Sequence, residues 1–100
     1  MEIERLQKAI RDLHGVESTH FRSECVRETF RGETVWEGMV EVFAVTGHPK
    51  AGLAYAWSHE TDTGGRNYVA VLRVDPIKSP LDAVRAHIVA EYEKGKRYIR

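Results

Sequence analysis

A histidine followed by acidic residues is the first feature of this sequence that could do chemistry. His59 ends an apolar run, and Glu60 and Asp62 follow within three positions. An imidazole titrates near neutral pH, so His59 is a candidate general acid or base, and Cys25 or Tyr68 could assist it. The alternative is that His59 is only a hydrogen-bonded residue at the end of a strand.

A glycine inside a predicted strand, Gly38, suggests where such chemistry could take place. Glycine within a strand usually marks a bulge or a close approach by another group. The register that we expect from the turn lengths places Gly38 in one row with Cys25, His59 and Tyr68. Aromatic-lined hollows with few polar groups are typical of small-ligand sites. We therefore predict a hollow over Gly38 whose ligand-binding residues are Cys25, Arg27, Trp36, Gly38, Trp57, His59 and Tyr68.

Each of these residues also has a simpler interpretation. A cysteine in a strand is commonly a small buried hydrophobic residue, and Trp36 and Trp57 are of the type that fills a core. A helix side chain such as Leu6 or Ile88 could occupy the space over Gly38. In that case the chain would have no enzymatic site that the sequence can identify.

Charge and cysteine content restrict the partners and cofactors. Fifteen basic side chains balance fifteen acidic ones, so no net field favours nucleic acid or an anionic membrane. The single Cys25 excludes an intramolecular disulfide and suits a reducing cytoplasm. The five histidines show no close ligand spacing, and we predict no metal site and no cofactor. Neither the apolar core of a signal peptide nor a run long enough to span a membrane is present, so we expect a cytoplasmic protein.

Two helices are predicted at the ends of the chain. Apolar residues recur at spacings of three and four in both, which places them on one face of each helix: Ile3, Leu6, Ile10 and Leu13 in the first, and Leu81, Val84, Ile88 and Tyr92 in the second. Gly15 should cap the first helix. Ser79 should be the N-cap of the second helix and Pro80 its first residue, and Gly95 should end it.

Four strands are predicted between the helices, over residues 17–30, 33–46, 51–61 and 66–75. Each connector is short and contains glycine, as hairpins require. A four-residue loop at 62–65 would pair Thr61 with Arg66. The chain should therefore be a single α+β domain over residues 1–100, with the order helix, four-stranded antiparallel meander, helix. We expect both helices to pack on one face of the sheet.

The opposite face of the predicted sheet has an apolar half. Its members include Met39, Phe43, Ala56, Val69 and Val71. A monomer rarely leaves a large apolar patch in water, so these residues are the predicted interface of a homodimer. The alternative is that one helix crosses to this face, which would make a three-layer monomer.

The C-terminal residues 94–100 form a basic tail. Lys94, Lys96, Arg97 and Arg100 surround Tyr98, and such a pattern can hold a phosphate backbone and stack a base. The order of helix, strands and helix resembles the double-stranded RNA-binding domain in topology. That resemblance implies RNA binding, but the fourth strand and the acidic start of the last helix at Asp82 differ from it.

These features favour a small cytoplasmic binding or interaction module, acting as a homodimer and without a cofactor. A small molecule in the hollow over Gly38 is a further partner to consider. The first alternative is a small enzyme that uses His59 as acid or base in that hollow. The second, weaker alternative is RNA binding through the tail.

Overall fold

The computed structural model describes residues 2–61 and 63–98, with side chains described as far as Glu91. The elements are α1 (Glu2–His14), β1 (Glu17–Phe30), β2 (Glu33–Thr46), β3 (Leu53–Glu60), β4 (Arg66–Leu72) and α2 (Pro80–Tyr98). The strands form one antiparallel sheet in the order β1-β2-β3-β4. The α+β class and the order helix, antiparallel meander, helix are confirmed.

Local signals explain where the helices and the first hairpin begin and end. Gly15 has a φ of 70°, and its N–H donates to the Arg11 carbonyl at 2.8 Å, which closes α1 as predicted. The Ser79 hydroxyl accepts from the Asp82 N–H at 3.1 Å and caps α2. The β1–β2 turn has positive φ at both Arg31 and Gly32, as a two-residue type I′ turn requires.

The end of α2 differs from the prediction. The helix continues through Gly95 to Tyr98. A glycine inside a helix costs only about 1 kcal/mol relative to alanine, so it does not by itself stop one. The predicted stripe residue Tyr92 and the basic side chains of residues 94–100 lie outside the described side chains.

The two helices pack on opposite faces of the sheet, so the expectation that they share one face was wrong. Leu6 and Ile10 of α1 belong to one cluster, whose sheet residues are Phe43, Val45, Ala54, Ala56 and Ala70. Ala83 and Val84 of α2 belong to a second cluster, whose sheet residues are Val26, Val40, Val42, Tyr55 and Trp57. The physical reason is that β2 and β3 are apolar on both faces, and each face needs its own cover.

This three-layer arrangement removes the predicted dimer surface. Phe43 and Ala56 are fully buried under α1. Val69 and Val71 lie on the opposite face, packed with the α2 cluster. Of the predicted interface residues only Met39 is largely exposed, at 51 %. The apolar face that motivated the dimer is the one that α1 covers.

Two irregularities in β1–β2 pairing and a one-residue difference at β3–β4 change the faces on which side chains of β1 and β4 lie. The register shifts between His20 and Arg22 and again between Glu28 and Thr29, so that Val26, and not Cys25, lies opposite Gly38. On the other side of the sheet His59 pairs with Asn67, and Tyr68 pairs with Ser58. A one-residue slip moves a side chain to the other face of a sheet.

The sheet is not continuous along its full length. The pairing between β2 and β3 ends at Glu41 and Ala56, although β2 begins eight residues earlier, at Glu33, and β3 continues to Glu60. The far half of the β1–β2 hairpin therefore extends as a two-stranded arm. In the part of the chain that the structure describes, no helix is long and apolar enough to span a membrane.

Candidate functional site

The space over Gly38 is occupied by Trp36. A Cβ atom built on Gly38 would lie 3.1 Å from Cη2 of the Trp36 indole. Trp36 also packs edge-on against Trp57, with ring centroids 5.8 Å apart. A residue expected to form the wall of the hollow thus fills it.

The structure separates the other predicted site residues between the two faces. Trp36, Trp57 and His59 lie on the α2 side, whereas Cys25 and Arg27 pair with Met39 and Glu37 on the α1 side. Cys25 is exposed there, and Arg27 donates to the Thr34 hydroxyl at 2.8 Å. The Tyr68 hydroxyl lies 3.4 Å from the Arg5 guanidinium of α1. Neither Cys25 nor the Tyr68 hydroxyl is therefore placed to assist His59.

His59 instead has a neighbour that sequence reasoning missed, His87 of α2. The two imidazole centroids are 6.2 Å apart, and His87 packs edge-on against Trp57 at 5.7 Å. His87 follows Val84 by three positions, so it stands beside the apolar stripe of α2. The three-residue spacing from Val84 was the sequence signal that His87 faces the sheet. It identifies His59 as a neighbour only when the packing of α2 against β3 is known.

The histidine pair lines a cavity of about 260 Å³ between α2 and the β3–β4 hairpin. Its lining residues are His59, Asn67, Tyr68, Val69, His87 and Glu91. Burial lowers the pKa of His87; Glu91 opposes this shift and His59 adds to it. His87 is therefore neutral at neutral pH, the form that can accept a proton.

Most of the side chains around this cavity are polar. Among the side chains that the structure describes, no three histidine, cysteine, aspartate or glutamate groups are arranged to hold a metal ion. His59 Nδ1 lies 3.4 Å from the Glu60 carbonyl oxygen, a long contact that holds the ring weakly. Asp62, the third member of the His59-Glu60-Asp62 sequence feature, is not among the described residues. The cavity can hold a small polar molecule beside the two imidazoles.

A larger and more apolar site lies on the other side of α2. A groove of about 620 Å³ runs between the helix and the arm of the β1–β2 hairpin, lined by Glu28, Thr29, Phe30, Val35, Arg85, Ile88 and Val89. Phe30, Val35 and Val89 are 63 %, 51 % and 59 % exposed. We refer to this feature as the α2 groove.

Local structure explains why the strand wall of the α2 groove is apolar and exposed. Thr29 pairs with Thr34 but Glu28 pairs with Trp36, so Val35 is the extra residue of a bulge and has no partner opposite it. Phe30 directly precedes the tight turn, and the Arg31 guanidinium lies over its ring, 5.2 Å from the centroid. The bulge and the turn therefore leave the side chains of Val35 and Phe30 exposed in the groove.

An ion pair joins the two walls. The Arg85 guanidinium of α2 donates to the Glu28 carboxylate of β1, which also accepts the Thr29 N–H at 3.0 Å. Both interactions lower the pKa of Glu28, and the hydrogen bond from Arg85 has the larger effect. The Glu28 side chain is 15 % exposed and that of Arg85 is 56 % exposed, so the pair lies at the surface of the groove with its arginine open to solvent.

Two sites therefore need a functional explanation, the histidine cavity and the α2 groove. The first combines titratable groups with limited space, and the second combines apolar exposure with a fixed shape. In comparisons with known proteins, the chain matches no family model, no curated protein and no solved structure.

Proposed function

We propose that this chain is a small cytoplasmic binding module, that the α2 groove is its docking surface, and that it works as a homodimer. The observation that carries the docking function is the concentration of apolar exposure. Among the described residues six large hydrophobic side chains are exposed, and three of them, Phe30, Val35 and Val89, line this one groove.

The energetics favour an occupied groove. Taking a phenylalanine or valine side chain from water into a packed interface contributes roughly 1.5–3 kcal/mol, before the entropic cost of association is subtracted. Scattered apolar residues are ordinary on a protein surface, whereas clustered ones mark interaction sites. The bulge at Val35 and the tight turn after Phe30 also fix the strand wall in advance, which reduces the ordering that binding requires.

The cytoplasmic location is supported by Cys25. It is a free thiol and is exposed on β1, an edge strand of the sheet. An exposed unpaired thiol persists in the reduced form where glutathione and thioredoxin are present.

An apolar fluorescent dye, anilinonaphthalene sulfonate, tests the docking surface. Dilute protein should bind the dye, and Val89→Glu should abolish the fluorescence increase because it places a carboxylate in the groove. Leu13→Glu is the matched control, since Leu13 is 60 % exposed and lies outside the groove. Equal dye binding by both variants and the wild type would reject the α2 groove as the docking surface.

An acid–base enzyme is the second candidate, because His59 and His87 face one cavity and burial lowers the pKa of His87. A catalytic pair needs at least one imidazole with a shifted pKa and an oriented ring. NMR titration of both histidines measures this directly. If both rings titrate near ~6.5, as exposed imidazoles do, the enzymatic proposal loses its basis.

A further inference from the structure

We infer that the histidine cavity regulates the α2 groove: when His59 and His87 take up protons, α2 tilts away from the β3–β4 hairpin and towards the arm of the β1–β2 hairpin, and the groove narrows. This inference rests on the groove being the docking surface. It adds a control of that surface by acid, exerted from the opposite flank of the same helix.

The two sites lie on opposite flanks of α2. An α-helix turns by about 100° per residue, so the lining residues of the two sites form separate rows. Arg85 and Val89 line the groove, whereas His87 and Glu91 line the histidine cavity. The buried residue Val84 lies on the sheet-facing side of the helix, between the two rows. A tilt of the helix towards one site therefore narrows that site and widens the other.

The two flanks of the helix are held in different ways. On the groove side Arg85 donates to the carboxylate of Glu28, and this is the only polar side-chain contact between α2 and the sheet among the described residues. On the cavity side His87 packs edge-on against Trp57. The helix is thus tethered to the arm and only packed against the hairpin, so a repulsion within the cavity moves it towards the arm.

Protonation places like charges on the helix and on the hairpin. The ring centroids of His59 and His87 are 6.2 Å apart. Two unit charges at that separation shift an equilibrium by about threefold in water, and by more where solvent is partly excluded. Burial lowers the pKa of His87, so its charged ring is also better hydrated when the cavity widens.

One carboxylate opposes this effect. Glu91 lines the same cavity and lies one helical turn after His87, where it favours the protonated ring. It compensates one of the two imidazolium charges and leaves the other uncompensated. The residues that line the cavity from β4 are uncharged: Asn67, Tyr68 and Val69. Glu91→Gln should therefore enlarge the response to acid.

Binding of a neutral apolar dye, Nile red, tests the regulation without the charge of a sulfonate dye. Its affinity for the dilute wild type should be at least about threefold lower at about pH 5 than at about pH 7.5. The pKa of Glu28 lies below 4.5, so its pair with Arg85 persists over this range. His87→Gln should bind the dye with equal affinity at both pH values.

Controls separate the histidine pair from general effects of acid. His20 bonds to Glu41 and lies outside both sites, so His20→Gln should keep the wild-type response. Circular dichroism verifies that each variant is folded. If His87→Gln does not fold, His59→Gln replaces it and should reduce the response. An unchanged response in the folded variant would overturn the inference, and so would tighter dye binding by the wild type in acid.

The outcomes for the regulation and for the docking surface are distinguishable. If the wild type binds the dye equally at both pH values while Val89→Glu abolishes binding, the regulation is rejected and the groove remains the docking surface. If dye binding ignores Val89→Glu, the dye occupies another site, and the docking function fails together with its regulation.

Discussion

The indole of Trp36 lies over the backbone of Gly38, with its Cη2 atom 3.1 Å from the point that a Cβ on residue 38 would occupy. The ring also packs against Trp57, so it cannot move away without opening that contact. A side chain at this position would press against the Trp36 ring, which must shift to admit it. The same relationship explains why a hollow expected to hold a ligand holds a side chain.

Substitution of Gly38 should therefore destabilise the fold. We expect Gly38→Val to lower the free energy of unfolding by about 1–3 kcal/mol, the usual result of overpacking. Gly52→Val is the matched control, because a Cβ there meets nothing within 4 Å and its φ is not positive. Urea unfolding followed by tryptophan fluorescence gives both values. Similar decreases in the free energy of unfolding at the two positions would contradict the close contact between Trp36 and residue 38.

The position of α1 can be tested through the alanines beneath it. Ala56 is fully buried in the α1 cluster, whereas Ala44, on the neighbouring strand, is exposed. Ala56→Val should lower the free energy of unfolding by roughly 1–3 kcal/mol because the added methyl groups push against the helix. Ala44→Val should change it by less than about 0.5 kcal/mol. A harmless Ala56→Val would contradict the three-layer packing.

The histidine cavity predicts a pH dependence of stability. Burial lowers the pKa of His87 from the ordinary value of 6.5, so below that pH the unfolded chain binds a proton that the folded chain does not. The free energy of unfolding should then fall as the pH drops below 6.5, until the folded ring is also protonated. His87→Leu should reduce this slope. An unchanged slope in His87→Leu would mean that the ring is not desolvated.

The ion pair of the α2 groove predicts that the free energy of unfolding also depends on pH in the acidic range. Arg85 holds the pKa of Glu28 below its ordinary value of 4.5, so the stabilisation is present above that value and is lost as the pH falls through the lowered one. Glu28→Gln should lower the urea midpoint at neutral pH and approach the wild type in strong acid. Glu33→Gln, at an exposed position of the same hairpin, serves as the control. If the two variants have equal midpoints, Glu28 makes no stabilising pair.

Local chemistry made part of the fold predictable. Gly15, Ser79 and the Arg31-Gly32 turn act through their own backbone and neighbours, and the structure has each of them as expected. The bulge at Val35 has no comparable sequence signal, because it depends on how two strands pair. It shifts the register that the turn alone would set, and with it the face on which Cys25 lies.

The candidate sites depended on these longer-range features. His59 could be predicted as a candidate site residue from its place at a strand end. Its neighbour His87 could not be assigned to the same site until the position of α2 relative to β3 was known. The α2 groove combines residues more than fifty positions apart, Phe30 and Val89 among them. Neither residue is unusual in sequence, and only the tertiary structure makes them neighbours.

Methyl NMR spectra recorded through a dilution series of the wild-type protein test the central claim most directly. Association through the α2 groove predicts that the methyl signals of Val35, Ile88 and Val89 shift together with concentration, because these side chains line the groove. The signals of Leu13, which is exposed elsewhere, should stay constant over the same series. Constant groove signals in a protein whose sedimentation shows a dimer, or shifts confined to Leu13, would contradict the account.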